Sequence, residues 1–384
     1  MKKSLLLLVS LTIFSSSYAQ ETLYKTTVHN GVYRQYAVYV PASYDSTTAT
    51  PLLLTFHGYS TANISNYIKN RLDFRPHADS TGYIIVYPRG LRLDSNKSNT
   101  HHWNVGSWTT GSTSDDIGFV DSLIDILRTE YSIDQKRIYA TGTSNGGYFS
   151  FELACHLSHR IAAVASSAGL MSDRTYNSCD PKHPTPILQI HGTADNVVGY
   201  DGNTPVNSLS VDEVLDYWIK FNGTDRTPAI TSLPDTDPSN GNTSESHEYN
   251  QGKNCTSVHH YKVTGGGHIL AGLNGNVDID IMGIIWNFLS QYDINGLIDC
   301  PTVSTKEPET KSPAVRIYPN PTKDNIKIVS PSINNQAYSL YDSLGRIIYT
   351  GTTIHGNASL DLRELSPDIY ILTIQNQTIK IIKR

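Results

Sequence analysis

After its first twenty residues the chain has no apolar run of the roughly eighteen residues that a membrane helix requires. Charge is sparse as well. Charged residues make up 17% of 384, the net charge is −5, and no block of like charge occurs, so the electrostatic footprint of a nucleic-acid binder is missing. The four cysteines, Cys155, Cys179, Cys255 and Cys300, form no C-x-x-C pair and have no His-x-x-x-His neighbour, which leaves a structural zinc site little to build on. In an exported chain they allow two disulfides, and spacing alone leaves all three pairings open.

What is present begins with Met1-Lys2-Lys3, an apolar run from Leu5 to Phe14, and Ser15-Ser16-Ser17-Tyr18-Ala19. This is the three-part layout of a signal peptide, with cleavage expected after Ala19, so the mature protein is expected to be exported without stable membrane insertion. From about Tyr24 to Tyr292, β-rich apolar runs (35–40, 52–57, 84–87, 138–141, 162–167, 187–191 and 258–263) alternate with helical stretches (116–130, 147–157, 211–221 and 278–291). That alternation predicts a mainly parallel sheet flanked by helices, an α/β domain over residues 20–301. Ile117, Val120, Ile124 and Leu127 recur at helical spacing, and Asp115 and Asp116 stand where a helix start favours negative charge, so both read as caps. The polar stretch 224–253 reads as an exposed loop, and residues 302–313 (TVSTKEPETKSP) as a linker. Residues 314–384 shift to short strands broken by turn signals such as Leu344-Gly345, which predicts a small C-terminal all-β sandwich with no grouping suited to chemistry.

The strongest chemical signal is Gly142-Thr143-Ser144-Asn145-Gly146-Gly147, set between an apolar run and a helical one. In a strand-turn-helix context G-x-S-x-G is a nucleophile elbow, whose glycines allow a tight turn that presents the serine hydroxyl; the plainer reading is a turn with a capping serine. Serine needs a base and a group to orient that base. His268 follows Gly265-Gly266-Gly267 after the last predicted core strand, and Asp195 follows His191-Gly192-Thr193-Ala194 past another strand end, giving the chain order Ser, Asp, His. Asp180 and Asp201 are rivals to Asp195, but neither follows a strand in the same way. His57 and His191 precede glycines at strand ends and read as residues that shape those turns. The amides of Asn145 and Tyr59 are the candidate oxyanion donors. Trp103, Trp108 and Tyr59 are candidate lining for an acyl or aryl pocket, Trp103 because its Gly/Ser/Thr/Asn-rich loop favours exposure, and the 24 tyrosines make a tyrosine-rich binding face plausible.

At these residues the chain resembles the secreted feruloyl esterase and polyhydroxybutyrate depolymerase-like family of α/β-hydrolases. Matching stretches include Leu54-Thr55-Phe56-His57-Gly58, Val86-Tyr87-Pro88, Trp103-Asn104, Asp115-Asp116-Ile117-Gly118-Phe119, Tyr139 to Gly147, His191 to Asp195 and Gly265 to His268. The resemblance implies the α/β-hydrolase fold and hydrolysis of carboxylic esters, either feruloyl or acetyl groups on plant cell-wall polysaccharide or aliphatic polyesters, with no metal or organic cofactor. The chain departs from that family after the histidine, where Ile269-Leu270-Ala271-Gly272 replaces a threonine and a Trp-Pro pair. It departs again at Thr224, where a cysteine is usual. The second departure implies a Cys255–Cys300 bridge, with Cys155–Cys179 as the other.

The tail, with Tyr318-Pro319-Asn320-Pro321, Leu340-Tyr341-Asp342, Gly345-Arg346 and the basic end Lys383-Arg384, looks like the type A sorting domain of the type IX secretion system. That implies an outer-membrane-bearing bacterium, contact with the secretion machinery and removal of the tail during export. A small carbohydrate-binding module is the rival reading, and the tail's lack of tryptophan weighs against it. For the whole chain the competitors are a serine peptidase with the same triad and a non-catalytic glycan-binding surface protein.

Overall fold

The computed structural model describes residues 21–59, 63–70, 72–93, 100–106, 109, 111–202, 208–268, 278–300, 315–329, 335–342, 345–355, 357–374 and 377–384. The expected signal peptide, the linker and Trp108 lie outside these residues. The chain divides into two compact units, Met1–Pro301 and Thr302–Arg384.

The first unit is built on a ten-stranded sheet. In chain order its first strands are β1 (Glu21–His29), β2 (Val32–Val40), β3 (Thr50–Phe56) and β4 (Ile84–Pro88), followed by a short separate ladder of β5 (Leu91–Arg92) with β6 (His101–His102). The sheet continues with β7 (Ile133–Thr143), β8 (Ala163–Ser167), β9 (Ile187–Gly192), β10 (Ala229–Ser232), β11 (Thr243–Tyr249) and β12 (Val258–Thr264). A small hairpin, β13 (Tyr292–Asp293) with β14 (Gly296–Leu297), lies outside it. Across the sheet the order is β1-β2-β4-β3-β7-β8-β9-β12-β11-β10, parallel from β4 to β12 and antiparallel at both edges.

Every residue of β3, β4, β8 and β9 is buried, as expected of strands covered on both faces. In β3, Leu52, Leu54 and Phe56 join one hydrophobic cluster while Leu53 joins the other. The first cluster is completed by α3 (Asp116–Glu130), α4 (Asn145–His156) and α6 (Val211–Asn222) through residues such as Phe119, Phe149 and Trp218. The second takes Ile68 of α1 (Ile64–Asn70), Ala78 of α2 (Arg75–Thr81), and Ile285 and Trp286 of α7 (Ile281–Leu289). A short α5 (Asp173–Ser178) follows β8. The helix ends follow local chemistry. Ser210 and Glu213 form a reciprocal capping box at the start of α6, and Gly223, at φ 70°, closes its other end.

Three expectations change here. Within 224–253, read as loop, β10 and β11 extend the sheet, and they lack an apolar alternation because Ser244 and Ser246 are the buried residues of β11 while β10 is exposed throughout. The hairpin strand β1 lies outside the expected strands, being polar at most positions and exposed or half-buried throughout. Asp116 is no cap: Asp115 accepts from the Gly118 amide at the start of α3, while Asp116 pairs with buried Arg34 at 2.6 Å and accepts from the Asn104 amide at 2.8 Å. The bridges Cys155–Cys179 and Cys255–Cys300 are both formed.

The second unit runs β15 (Arg316–Tyr318), β16 (Asn325–Val329), β17 (Ala337–Tyr341), β18 (Ile347–Thr352), β19 (Asn357–Asp361), β20 (Ile369–Ile374) and β21 (Gln377–Ile382). Antiparallel sheets β15-β16-β19 and β18-β17-β20-β21 share a core that includes Ile326, Ile328, Leu340, Leu372 and Ile381. It is a small all-β sandwich with its own hydrophobic centre.

Candidate active site

Ser144 sits between the end of β7 and the start of α4 with φ 52° and ψ −122°, backbone space that side chains rarely occupy and that costs on the order of 1–3 kcal/mol. The turn is fixed on both sides. The Ser144 amide donates to the Ser167 carbonyl at 2.8 Å, and the Ser144 carbonyl accepts from the Tyr148 amide at 3.0 Å. The serine side chain makes no capping bond, so the plain capping-serine reading fails at this position. The glycines answer to space: a Cβ on Gly142 would overlap the Gly146 carbonyl, and one on Gly146 would overlap the Phe56 carbonyl of β3. Gly146→Ala is therefore expected to cost about 1–3 kcal/mol of stability through overpacking, with a fall in turnover as the turn shifts. A urea titration alongside initial rates would measure this, and an unchanged midpoint and rate would show that the close approach is dispensable.

Asp195 and His268 meet at the ends of strands on one side of Ser144's strand. Ser144 follows β7, Asp195 follows β9 and His268 follows β12, and these strands lie within the parallel run β7-β8-β9-β12. All three groups thus stand beyond carboxyl ends of parallel strands, the edge where open α/β sheets bind ligands. The loops bearing Asp195 and His268 are tied together by the Ala194 amide on the Gly266 carbonyl (2.8 Å) and the Gly265 amide on Thr193 Oγ1 (2.9 Å). His268 Nδ1 lies 2.7 Å from Asp195 Oδ2. Among the described residues no hydrogen bond joins Ser144 Oγ to His268, and a nucleophile–base bond commonly tightens only with substrate in place.

The Asp195 carboxylate is fully buried but well supplied with donors. Oδ1 accepts from the amides of Val197 and Val198, both at 2.8 Å, and His191 Nε2 stands 3.4 Å from Oδ2. Burial pushes the carboxyl pKa upward, and the hydrogen bonds from His191 and His268, the His268 charge and the Val198 amide outweigh it, holding the group far below the usual carboxylate range. His191 is itself oriented: Gln189 Nε2 donates to its Nδ1 at 3.0 Å, leaving the proton on Nε2 to face the Val198 carbonyl at 2.8 Å. Gln189 and these two backbone amides carry no sequence signal, since nothing in their spacing marks a residue that supports an acid.

Tyr59 and Asn145 flank the serine from two directions. Asn145 follows it directly, and Tyr59 follows Gly58, whose Cβ position is 3.3 Å from Ser144 Cβ. The Asn145 side chain is buried and clamps the Trp103 backbone, Oδ1 accepting from its amide at 2.6 Å and Nδ2 donating to its carbonyl at 3.0 Å. Trp103 departs from expectation. It is fully buried, stacked on Phe149 at 4.9 Å and edge-on to Phe56 at 5.1 Å, so it supports the serine turn from behind and offers no wall to a substrate. Tyr59 is exposed, at 44%.

Residues 107–209 match the phospholipase/carboxylesterase family, and residues 316–384 match the secretion system C-terminal sorting domain. The larger unit has the α/β-hydrolase fold, and the smaller unit is similar to that sorting domain over nearly all of its described length. The hydrolase unit is similar to a bifunctional acetylxylan esterase/xylanase, XynS20E, of Neocallimastix patriciarum, with 28% identity over 267 residues, 69% of this chain and 34% of that protein. It is also similar to feruloyl esterase B of Piromyces equi, with 29% identity over 270 residues, 68% of this chain and 46% of that protein. The chain thus spans less than half the length of these two relatives. Among solved structures it resembles an acetyl xylan esterase from Aspergillus awamori, with 16% identity and a TM-score of 0.46, over 68% of this chain and 99% of that one.

Proposed function

We propose that the chain is an exported serine carboxylic ester hydrolase acting on feruloyl or acetyl esters of plant cell-wall polysaccharide. The observation that carries the reading is a strained serine at a strand-to-helix turn, with a hydrogen-bonded His268–Asp195 pair on the same edge of the sheet. The names of the relatives favour those esters over polyesters, and the sorting-domain match favours export through a type IX secretion system.

In the reaction Ser144 Oγ attacks the ester carbonyl carbon while His268 Nε2 takes its proton. The carbonyl π electrons move onto oxygen, and the Tyr59 and Asn145 N–H groups donate hydrogen bonds to the resulting oxyanion. Collapse expels the alcohol oxygen, which leaves with the proton from His268, and the acyl group stays on Ser144. Water then adds with His268 as base, and the acid departs as Ser144 is reprotonated.

The test is hydrolysis of p-nitrophenyl acetate, methyl ferulate, acetylated xylan and polyhydroxybutyrate by the purified protein, with fluorophosphonate labelling followed by peptide mapping. Release of ferulate or acetate together with a single label on Ser144 is the expected result. A folded protein that turns over none of these esters would sink the hydrolase reading, and preference for polyhydroxybutyrate would replace the substrate class.

A further inference from the structure

The His57–Gly58 turn beside Ser144 is held at four points. His57 Nε2 accepts from the Gly90 amide at 2.9 Å, which leaves the ring proton on Nδ1. That Nδ1 donates to the carbonyl of Gly58 at 2.6 Å. The carbonyl of His57 accepts from Trp103 Nε1 at 3.0 Å, and the Gly58 amide donates to the Tyr67 hydroxyl at 3.2 Å. Tyr67 in turn is 3.0 Å from Thr143 Oγ1, on the residue before the serine.

The carbonyl of Gly58 and the N–H of Tyr59 are opposite edges of one planar trans peptide, so fixing the oxygen fixes the direction of the N–H. We infer that His57 is a positioning residue for the oxyanion donor, its Nδ1–H gripping the Gly58 carbonyl so that the Tyr59 N–H is aimed before substrate arrives. The inference rests on the proposed reading of Tyr59 and extends it to the residue whose ring holds the Gly58 carbonyl.

The ring is suited to a permanent grip. It is wholly buried, and burial drives its pKa down to about 3 against the opposing pull of the Gly58 bond, with His101, Arg89 and His102 adding to the downward push. The neutral Nδ1–H form therefore persists through the neutral range. The ring also packs on Trp103 at 5.1 Å and Tyr67 at 5.5 Å, so a purely structural role is the alternative to defeat.

Two substitutions separate them. In His57→Asn the amide nitrogen takes the place of Nδ1 and keeps a donor for the Gly58 carbonyl while the bond to Gly90 is lost. In His57→Gln the side-chain oxygen reaches the place of Nε2 and keeps the acceptor for Gly90 while the donor to Gly58 is lost. We expect kcat on p-nitrophenyl acetate to fall on the order of 100-fold in His57→Gln, as for a lost oxyanion donor, with KM little changed. Binding of a trifluoromethyl ketone, which forms a tetrahedral adduct on the serine, is expected to weaken in proportion. His57→Asn should stay within about tenfold of wild type although both variants lose thermal stability. Equal losses of kcat in the two variants, or a ketone affinity unchanged in His57→Gln, would overturn the inference while leaving the hydrolase reading intact; a wild type without turnover would sink both. Should the variants not fold, 15N NMR of histidine-labelled wild type decides. A His57 ring protonated at Nδ1 and unchanged from pH 5 to 9 supports the inference, and protonation at Nε2 overturns it.

Discussion

Ser144→Ala is expected to lower kcat on every ester that the protein hydrolyses by about 10⁵- to 10⁶-fold, the loss seen when a triad nucleophile is removed. The loss is expected to be catalytic and not structural. Ser144 makes no side-chain cap, and its backbone bonds to Ser167 and Tyr148 survive truncation to alanine. Alanine must still occupy φ 52°, so the strain in the turn is unchanged and the unfolding midpoint should move little. Substrate affinity, measured as binding of a slowly exchanging ester to the variant, should be retained. Residual turnover near the wild-type rate would place the nucleophile elsewhere, and unfolding of the variant would assign Ser144 a structural part that its bonds do not suggest.

Much of this site is legible in the amino-acid sequence, and the reason is local. The glycines around Ser144 and the strand before it are encoded within ten residues, and the order Ser144, Asp195, His268 follows from the alternation of strands and helices. The α3 helix is equally plain, since its buried stripe of Phe119, Val120, Leu123, Ile124 and Leu127 has helical spacing. Where sequence and structure part, the deciding partner is distant along the chain. Trp103 sits in a loop whose composition signals exposure, yet Phe56, Asn145 and Phe149 enclose it. Asp116 has the sequence position of a cap, but its charge is claimed by Arg34, which also lies over the Phe119 ring at 3.9 Å. The strands β10 and β11 carry Thr, Ser and Glu where a half-buried strand usually alternates apolar residues, and pairing gives them strand form, β11 onto β12 and β10 onto β11.

Asp195→Asn tests the proposed orienting partner of His268, and its effect is expected to be about 10⁴-fold in kcat. The carboxylate accepts at both oxygens, from the Val197 and Val198 amides on Oδ1 and from His268 on Oδ2, with His191 close by. An asparagine oxygen can keep the two amides, but its nitrogen then faces His268 and His191, which are donors in the wild type. To accept from it, His268 must move its proton from Nδ1 to Nε2, the atom proposed to take the Ser144 proton. The base is then present and correctly placed but in the wrong tautomer. The same change has a signature in stability. Because the folded-state pKa of Asp195 is depressed, its charge stabilises the fold above the unfolded carboxylate value of about 3.9, and that contribution drains away as pH falls toward the folded value. The amide of the variant does not titrate and has no such dependence, so the difference in melting temperature between wild type and variant should be greatest near pH 6 to 7 and shrink progressively below pH 4. A difference that stayed constant across that range would mean that the carboxyl titrates alike in the folded and unfolded protein, and one that grew as pH fell would mean that it is held neutral in the fold; either result would remove the hydrogen-bonded charge on which the proposed orienting role depends.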